Sequence, residues 1–270
     1  MTTRSHLIKL AASLDDRKED SFQHRSNSEQ AADLRPGDVH VWRIILDVAP
    51  TDLIALEKVL SMEEQLRASR FANKQLADRW IAARGALRTI LSGYAGTAPE
   101  SLILKSDARG KPNLAIVNPP LSFSLSHTEN VAFVAVSAGI CVGIDAEVLR
   151  ADIEWDKIGS QFCTPAEADE IKSLTPERRN LAYFVCWTRK EAYVKAVGIG
   201  LRAALDKLRV SVRPEEPPKL LWVEGRPDEP PCWSVYDLGE PALAVALAVK
   251  SSKATTVKRF MFSVPLLSTT

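Results

Sequence analysis

The sequence lacks an excess of charge of either sign: 35 basic against 34 acidic side chains leave a formal +1 over 270 residues. A protein that neutralises many nucleic-acid phosphates normally carries a basic surplus, so a large polyanionic partner is not expected. Any polyanion it binds should be small. Long hydrophobic runs are missing too. The longest, Val131 to Val136 and Ala242 to Val249, fall well short of the roughly 18 to 20 residues that a membrane span needs. The amino-terminal MTTRSHLIKLAASLDD holds no sustained apolar core of the kind a secretory signal carries, so the cytoplasm is the expected location. Cysteine is sparse. Cys141, Cys163, Cys186 and Cys232 are widely spaced, form no CxxC pair and have apolar neighbours, which predicts buried thiols in a reducing compartment. What remains, at 46% apolar content, is an ordinary globular chain, and disordered, collagenous and disulfide-scaffold classes are excluded.

Residues 1–38 are polar and close with Arg35-Pro36-Gly37-Asp38, which reads as a mobile extension ending in a turn. Val39 to Leu46 then supplies the first strand of the folded core. Ser61-Met62-Glu63-Glu64 has capping-box spacing, predicting a helix to about Phe71. A second helix, from about Asn73 to Tyr94, carries Leu76, Trp80, Ala83, Leu87 and Leu91 at spacings of three and four, with Gly93 helping to end it. Residues 121–147 read as three strands joined by short turns. Helices follow at about Pro165 to Ser173 and Glu177 to Val197, then apolar strands near Leu208 to Val212, Leu220 to Val223 and Leu243 to Val249. The two long helices share a pattern, WIAARGAL at 80–87 and WTRKEAYV at 187–194. The expected fold class is therefore α+β, built from two similar halves at 39–145 and 146–260.

Two segments could carry chemistry. In Gly143-Ile144-Asp145-Ala146-Glu147, residues i and i+2 of a strand point to one face, so Asp145 and Glu147 present two carboxylates together. Such a pair calls for a cation or a raised pKa, and oxygen donors without Cys or His favour Mg²⁺ over Zn²⁺. Taken alone, the pentapeptide is equally two acids that follow a buried strand into solvent. In Trp187 to Leu201, positions 187, 191 and 195 lie along one helical stripe, aligning Glu191 with Lys195. By itself this is also an exposed i,i+4 ion pair worth about 0.2 to 0.5 kcal/mol, with Gly198 and Gly200 as helix terminators. Gly198-Ile-Gly200 lacks the context of a dinucleotide fingerprint. Gly110-Lys111-Pro112 puts a cation in a stiff turn, and Ser124-Leu125-Ser126-His127 ends a strand with two hydroxyls and an imidazole. No G-x-S-x-G elbow accompanies it, so Ser126 and His127 suit phosphate contact better than nucleophilic work.

The order of these motifs decides what none does singly. Arg70-Phe71, Arg79, GKP at 110–112, SLSH at 124–127, GIDAE at 143–147 and WTRKEAYVKAVGIGL at 187–201 together resemble the phosphopantetheinyl transferases of the Sfp type, over about residues 39–250. The resemblance implies a pseudo-twofold pair of similar halves with the active site between them. It also implies Mg²⁺-dependent transfer of 4′-phosphopantetheine from coenzyme A to a serine of an apo acyl or peptidyl carrier protein, with release of adenosine 3′,5′-bisphosphate. On that resemblance Asp145, Glu147 and Glu191 would hold Mg²⁺, with Mn²⁺ as a substitute. Glu191 would serve as base and Lys195 would neutralise the transferring phosphoryl group. Coenzyme A would be bound by Arg67, Arg79, Lys111, Pro112, Ser126, His127, Asp145 and Lys195. The nucleophile belongs to the carrier, which accounts for the missing activated Ser or Cys. Arg150, Arg189 and apolar residues after Glu147 are candidates to dock an acidic carrier, and a monomer is expected. Relatives often have Asn at position 124 and Ser-Gly at 128–129, and some have a small hydroxyl residue at the position of Trp80, which is therefore left out of the site. Competing readings are a non-catalytic module that binds coenzyme A or a nucleotide and regulates a partner, and a Mg²⁺-dependent phosphodiesterase.

Overall fold

The computed structural model describes residues 23, 33–106, 112–114, 120–199 and 204–265. In chain order the elements are β1 (Val39–Ile45), α1 (Pro50–Lys58), α2 (Met62–Ala68), α3 (Lys74–Ala95), β2 (Leu104–Ser106), β3 (Pro112–Leu114), β4 (Leu121–Thr128), β5 (Val131–Ala138), β6 (Val142–Val148), α4 (Trp155–Ile158), α5 (Pro165–Lys172), α6 (Pro176–Val197), β7 (Leu208–Val210), β8 (Leu220–Val223), β9 (Ser234–Asp237), β10 (Leu243–Val249) and β11 (Val257–Met261). The class is α+β. Among the described residues no helix is long and apolar enough to cross a membrane.

The chain divides into two compact units. The described residues of the first lie within 21–107, 112–139 and 256–270. Its main sheet has the order β11-β1-β5-β4, with β1 parallel to β11 and antiparallel to β5. Alternation along β1 and β5 sends Trp42, Ile44, Ala132, Val134 and Val136 to one face, where they form a core with Ala82, Ala86, Leu87, Ile90 and Leu91 of α3. The Asn73 side chain caps α3 by accepting from the Leu76 amide. The helix runs through Gly93, contrary to the expectation that this residue helps to end it. It stops one turn later at Gly96, whose φ of +62° gives the left-handed cap that a glycine adopts without strain. The capping box at Ser61 and Glu64 is formed, and α2 tightens into i→i+3 turns at Arg70 and Phe71 rather than continuing as helix. Glu64 also takes ion pairs from Arg84 and Arg88, both on α3. Of the expected amino-terminal extension, Gln23 is described outside residues 33–38 and bridges to Phe260 on β11; residues 1–22 and 24–32 lie outside the described set.

The second unit, from Ile140 to Thr255, carries a three-stranded antiparallel sheet in the order β6-β10-β9 and the small β7-β8 pair. The three strands read from residues 121–147 thus divide between two sheets. The turn at Gly139, with φ of +78°, precedes the change of sheet, and β6 pairs with β10 rather than β5. The register sets Gly143 opposite Ala248, Asp145 opposite Ala246 and Glu147 opposite Ala244. Directly opposed residues share a face, so that face of β6 and β10 consists of a glycine, three alanines and two acids. Helix α6 lies on it, with Ala192 and Ala196 among the core residues that meet Ala246 and Ala248. The approach is so close that a Cβ on Gly143 would strike the backbone of Ala192 and Ala196. Thr164 and Glu167 form a second capping box at the start of α5, and Gly198 ends α6 with φ of +75°. Cys163 and Cys186 are buried free thiols, as expected; Cys141 and Cys232 are free but exposed, because their segments lie at the surface.

Candidate functional site

The second unit brings four of the expected residues together. Asp145 and Glu147 project from β6 toward α6, which carries Glu191 and, in its last turn, Lys195. Small side chains permit this: with Gly143, Ala192 and Ala196 at the contact, nothing bulky holds helix and strand apart. Lys195 Nζ donates to Asp145 Oδ1 at 2.6 Å, with the aspartate side chain 6% exposed and the lysine 29%. Glu191 is 4% exposed, which removes the reading of residues 191 and 195 as a solvated ion pair. Among the described residues, no hydrogen bond or ion pair reaches the Glu191 carboxylate. Burial pushes its pKa up, the Asp145 carboxylate pushes it further, the Lys195 ammonium pulls it down, and Glu147 adds a smaller upward push. The Asp145 and Glu147 carboxylates thus both bear on Glu191, and the Lys195 ammonium opposes them.

The arrangement stores electrostatic repulsion that a cation would relieve. Its donors are all carboxylate oxygens, with no sulfur or imidazole, which fits a hard divalent ion such as Mg²⁺. Among the described residues no three acidic, His or Cys side chains already stand in ligating geometry. Instead the ammonium of Lys195 lies against Asp145.

The other expected residues behave differently. Arg79, on α3, makes a two-pronged pair with Asp47, Nε to Oδ1 at 2.7 Å and Nη2 to Oδ2 at 2.8 Å, and also feels the charge of Glu129. Glu129 occupies the β4–β5 turn with φ of +46°, the left-handed conformation that favours glycine. The guanidinium of Arg67 lies 5.7 Å from the centre of the Trp80 ring. On β4, Ser126 is buried and His127 exposed, as strand alternation requires, while Pro112 opens β3 opposite Ser106. Arg67, Arg79, Pro112, Ser126 and His127 all belong to the first unit. Lys111 lies outside the described residues.

One candidate docking residue is corrected. Arg189 is 1% exposed; its Nη1 donates to the Ser211 carbonyl at 2.7 Å and hydroxyl at 3.0 Å, and its Nη2 faces Asp237. A guanidinium enclosed in this way cannot meet a carrier. Arg150 is exposed.

Sequence reasoning missed two contributors to this geometry. Gly143 was read only as part of a motif, although a glycine inside a strand often marks a close backbone approach. The capping box Thr164-Pro165-Ala166-Glu167 repeats the spacing seen at Ser61 and was equally legible; its Glu167 turns out to be fully buried against Lys190.

Comparison with known proteins now decides the family. Residues 141–248, which contain all four of these side chains, match the family model described as the 4′-phosphopantetheinyl transferase superfamily. The 4′-phosphopantetheinyl transferase HetI of Nostoc is 37% identical over 203 residues, spanning 74% of this chain and 82% of the relative. The chain belongs to the 4′-phosphopantetheinyl transferase superfamily. A Bacillus subtilis 4′-phosphopantetheinyl transferase is 26% identical over 190 residues, 70% of this chain and 82% of its own. A Bacillus anthracis holo-(acyl-carrier-protein) synthase, solved in complex with CoA (3′,5′-ADP), is 26% identical over 42% of this chain and 98% of its own, with a TM-score of 0.36. Within this transferase family the resemblance to the Sfp type, first drawn from motif order, is sustained by the HetI relative.

Proposed function

We propose that this transferase moves 4′-phosphopantetheine from coenzyme A to a serine of an apo acyl or peptidyl carrier protein, releasing adenosine 3′,5′-bisphosphate. The observation that carries the reading is the set of Asp145, Glu147 and Glu191 opposed by Lys195, in a chain of this family. In the reaction the serine oxygen attacks the phosphorus that bears the pantetheine arm, the phosphoanhydride bond to the adenosine bisphosphate breaks, and the serine proton leaves.

Asp145, Glu147 and Glu191 are the residues that would hold Mg²⁺, or Mn²⁺ in its place. The ion would supply charge neutralisation and orientation at the pyrophosphate. Lys195 adds a mobile positive charge where phosphoryl transfer develops negative charge, and it must release Asp145 in part to reach an incoming phosphate. Glu191 is the candidate acceptor of the serine proton, because burial raises its proton affinity toward that of a useful base. Arg67, Arg79, Lys111, Pro112, Ser126 and His127 are proposed for the nucleotide end of coenzyme A, with Asp145 and Lys195 at its pyrophosphate end. Arg79 would then exchange the Asp47 carboxylate for a phosphate. Arg150, with the segment after Glu147, is proposed to face an acidic carrier. The protein is proposed to act as a cytoplasmic monomer, in fatty acid, polyketide or nonribosomal peptide synthesis.

Intact-mass analysis tests the reading. Incubation with an apo carrier, coenzyme A and Mg²⁺ should add one phosphopantetheine mass to the carrier and release adenosine 3′,5′-bisphosphate. Absence of any addition across a panel of fatty acid, polyketide and peptide carriers would overturn it.

A further inference from the structure

Four consecutive polar residues, Thr188-Arg189-Lys190-Glu191, are all buried in the middle of α6. Successive helical positions point about 100° apart, so these side chains leave the helix in four different directions. Three of them end on protein. The Thr188 hydroxyl donates to the Phe184 carbonyl at 2.9 Å, and Arg189 reaches Ser211 and Asp237. Lys190 is 0% exposed, and its ammonium has three acceptors: Glu167 Oε2 at 2.6 Å, the Phe162 carbonyl at 2.7 Å and the Leu205 carbonyl at 2.9 Å. Glu167, also 0% exposed, is equally satisfied. Its Oε2 accepts from the Thr164 amide at 2.7 Å and hydroxyl at 2.9 Å, and its Oε1 accepts from the Val210 amide at 2.8 Å. Glu191 lies within electrostatic reach of the Asp145 and Glu147 carboxylates.

A buried ion pair is poor evidence for stability, since desolvation offsets much of the attraction; its better-attested use is to fix register. Here the pair joins the cap of α5, the loop at Phe162, the turn at Leu205 and the end of β7 to one point of α6, adjacent in sequence to Glu191. The small residues beneath α6 offer no key of their own: Gly143 and the alanines of β10 present no long side chain to fix the rotation of the helix. We infer that Lys190 and Glu167 act as positioning residues that set the rotation of α6, and so aim Glu191 at β6, without touching substrate. Arg189 braces the same turn from another side. The inference deepens the proposed function and rests on it for the role of Glu191.

The test removes the pair without leaving a buried charge alone, as Lys190→Met/Glu167→Gln. Trp187, one turn before Glu191, reports the rotation, because its ring packs edge-on against Phe162 with centroids 5.1 Å apart. In protein labelled with 5-fluorotryptophan, the fluorine resonance of Trp187, assigned through Trp187→Phe, should shift or broaden in the double variant. In the transfer assay kcat should fall at least tenfold, with the KM for coenzyme A within twofold. Leu174→Ala, a destabilising change in the same core that leaves the ion pair intact, should leave both readouts near wild type. Should the double variant fail to fold, Lys190→Gln/Glu167→Gln, a neutral pair that can still hydrogen-bond, should give the same changes in smaller degree. An unmoved Trp187 resonance, a wild-type kcat, or equal loss in Leu174→Ala would overturn the inference. If the wild-type protein transfers nothing, the proposed function fails, while the Trp187 resonance still decides whether the pair sets the helix.

Discussion

Replacing Gly143 by alanine tests how the site is built. The added Cβ would fall on the carbonyl oxygen of Ala192 and on the amide nitrogen and Cα of Ala196. These are backbone atoms of a 22-residue helix, so no side-chain rotation relieves the overlap and α6 must lift from β6. Restoring van der Waals separation takes a displacement on the order of 1 Å. Overpacking of this kind costs about 1 to 3 kcal/mol, and rigid backbone on the receiving side places it near the upper end. Alanine normally gains roughly 0.5 to 1 kcal/mol over glycine within a strand, leaving a net loss of about 2 kcal/mol. A fall in melting temperature of about 4 to 8 °C follows. Lys195 and Asp145, now 2.6 Å apart, would be carried out of contact, and misplacement of about 1 Å costs on the order of 10²-fold in rate. Urea denaturation and single-turnover transfer measure the two effects. A Gly143→Ala protein with wild-type stability and rate would refute the claim that this glycine sets the strand-to-helix distance.

Three further outcomes are expected. Glu191→Gln should abolish transfer yet stabilise the metal-free protein: the wild-type carboxyl has its pKa raised by folding, so its contribution is present at low pH and lost as pH rises through that raised value. The stability advantage of the variant in EDTA should therefore grow with pH, and an advantage that shrinks would contradict the assigned burial. Asp145→Ala should likewise abolish transfer while leaving circular dichroism nearly unchanged, and an active variant would remove Asp145 from the site. His40, buried against Tyr94 and Phe260, has its pKa pushed down to about 4 by burial and by Lys258, from an ordinary 6.5. The unfolded chain binds its proton first, so stability should fall by about 3 kcal/mol as pH drops from about 6.5 to 4. His40→Gln, which retains an acceptor for the Tyr94 hydroxyl 2.8 Å away, should flatten that part of the stability profile; an unaltered profile would place the acid sensitivity elsewhere.

Local signals in the chain were read well where one principle governed. The capping box at Ser61, the strand at 220–223, the strand at 243–249 and the two long helices needed only turn chemistry and hydrophobic period. Glycines were the hardest signals to read: Gly93 lies inside α3 because the helix core continues to Ala95, and Gly143, read only as part of a motif, serves a close helix contact. Arg189 looked like a surface cation because its helix was read as having a solvated face, whereas α6 is enclosed on most sides. Strands β9 (SVYD) and β11 (VKRFM) mix apolar with polar or charged residues, so no apolar run marked them, and their pairing with β10 and β1 is what makes them strands.

The sequence by itself determined the α+β class, the helix caps, and the order of acidic and basic residues that marks the family. Those features depend on residues near one another along the chain. Tertiary structure decided that β6 leaves β5 for β10, that a row of alanines faces α6, and that Asp145 meets Lys195 from 50 residues away. It also decided the burial of Glu191, which turns an ordinary i,i+4 pair into a charged site. Contacts between distant segments arise from packing, and no local period along the chain encodes them.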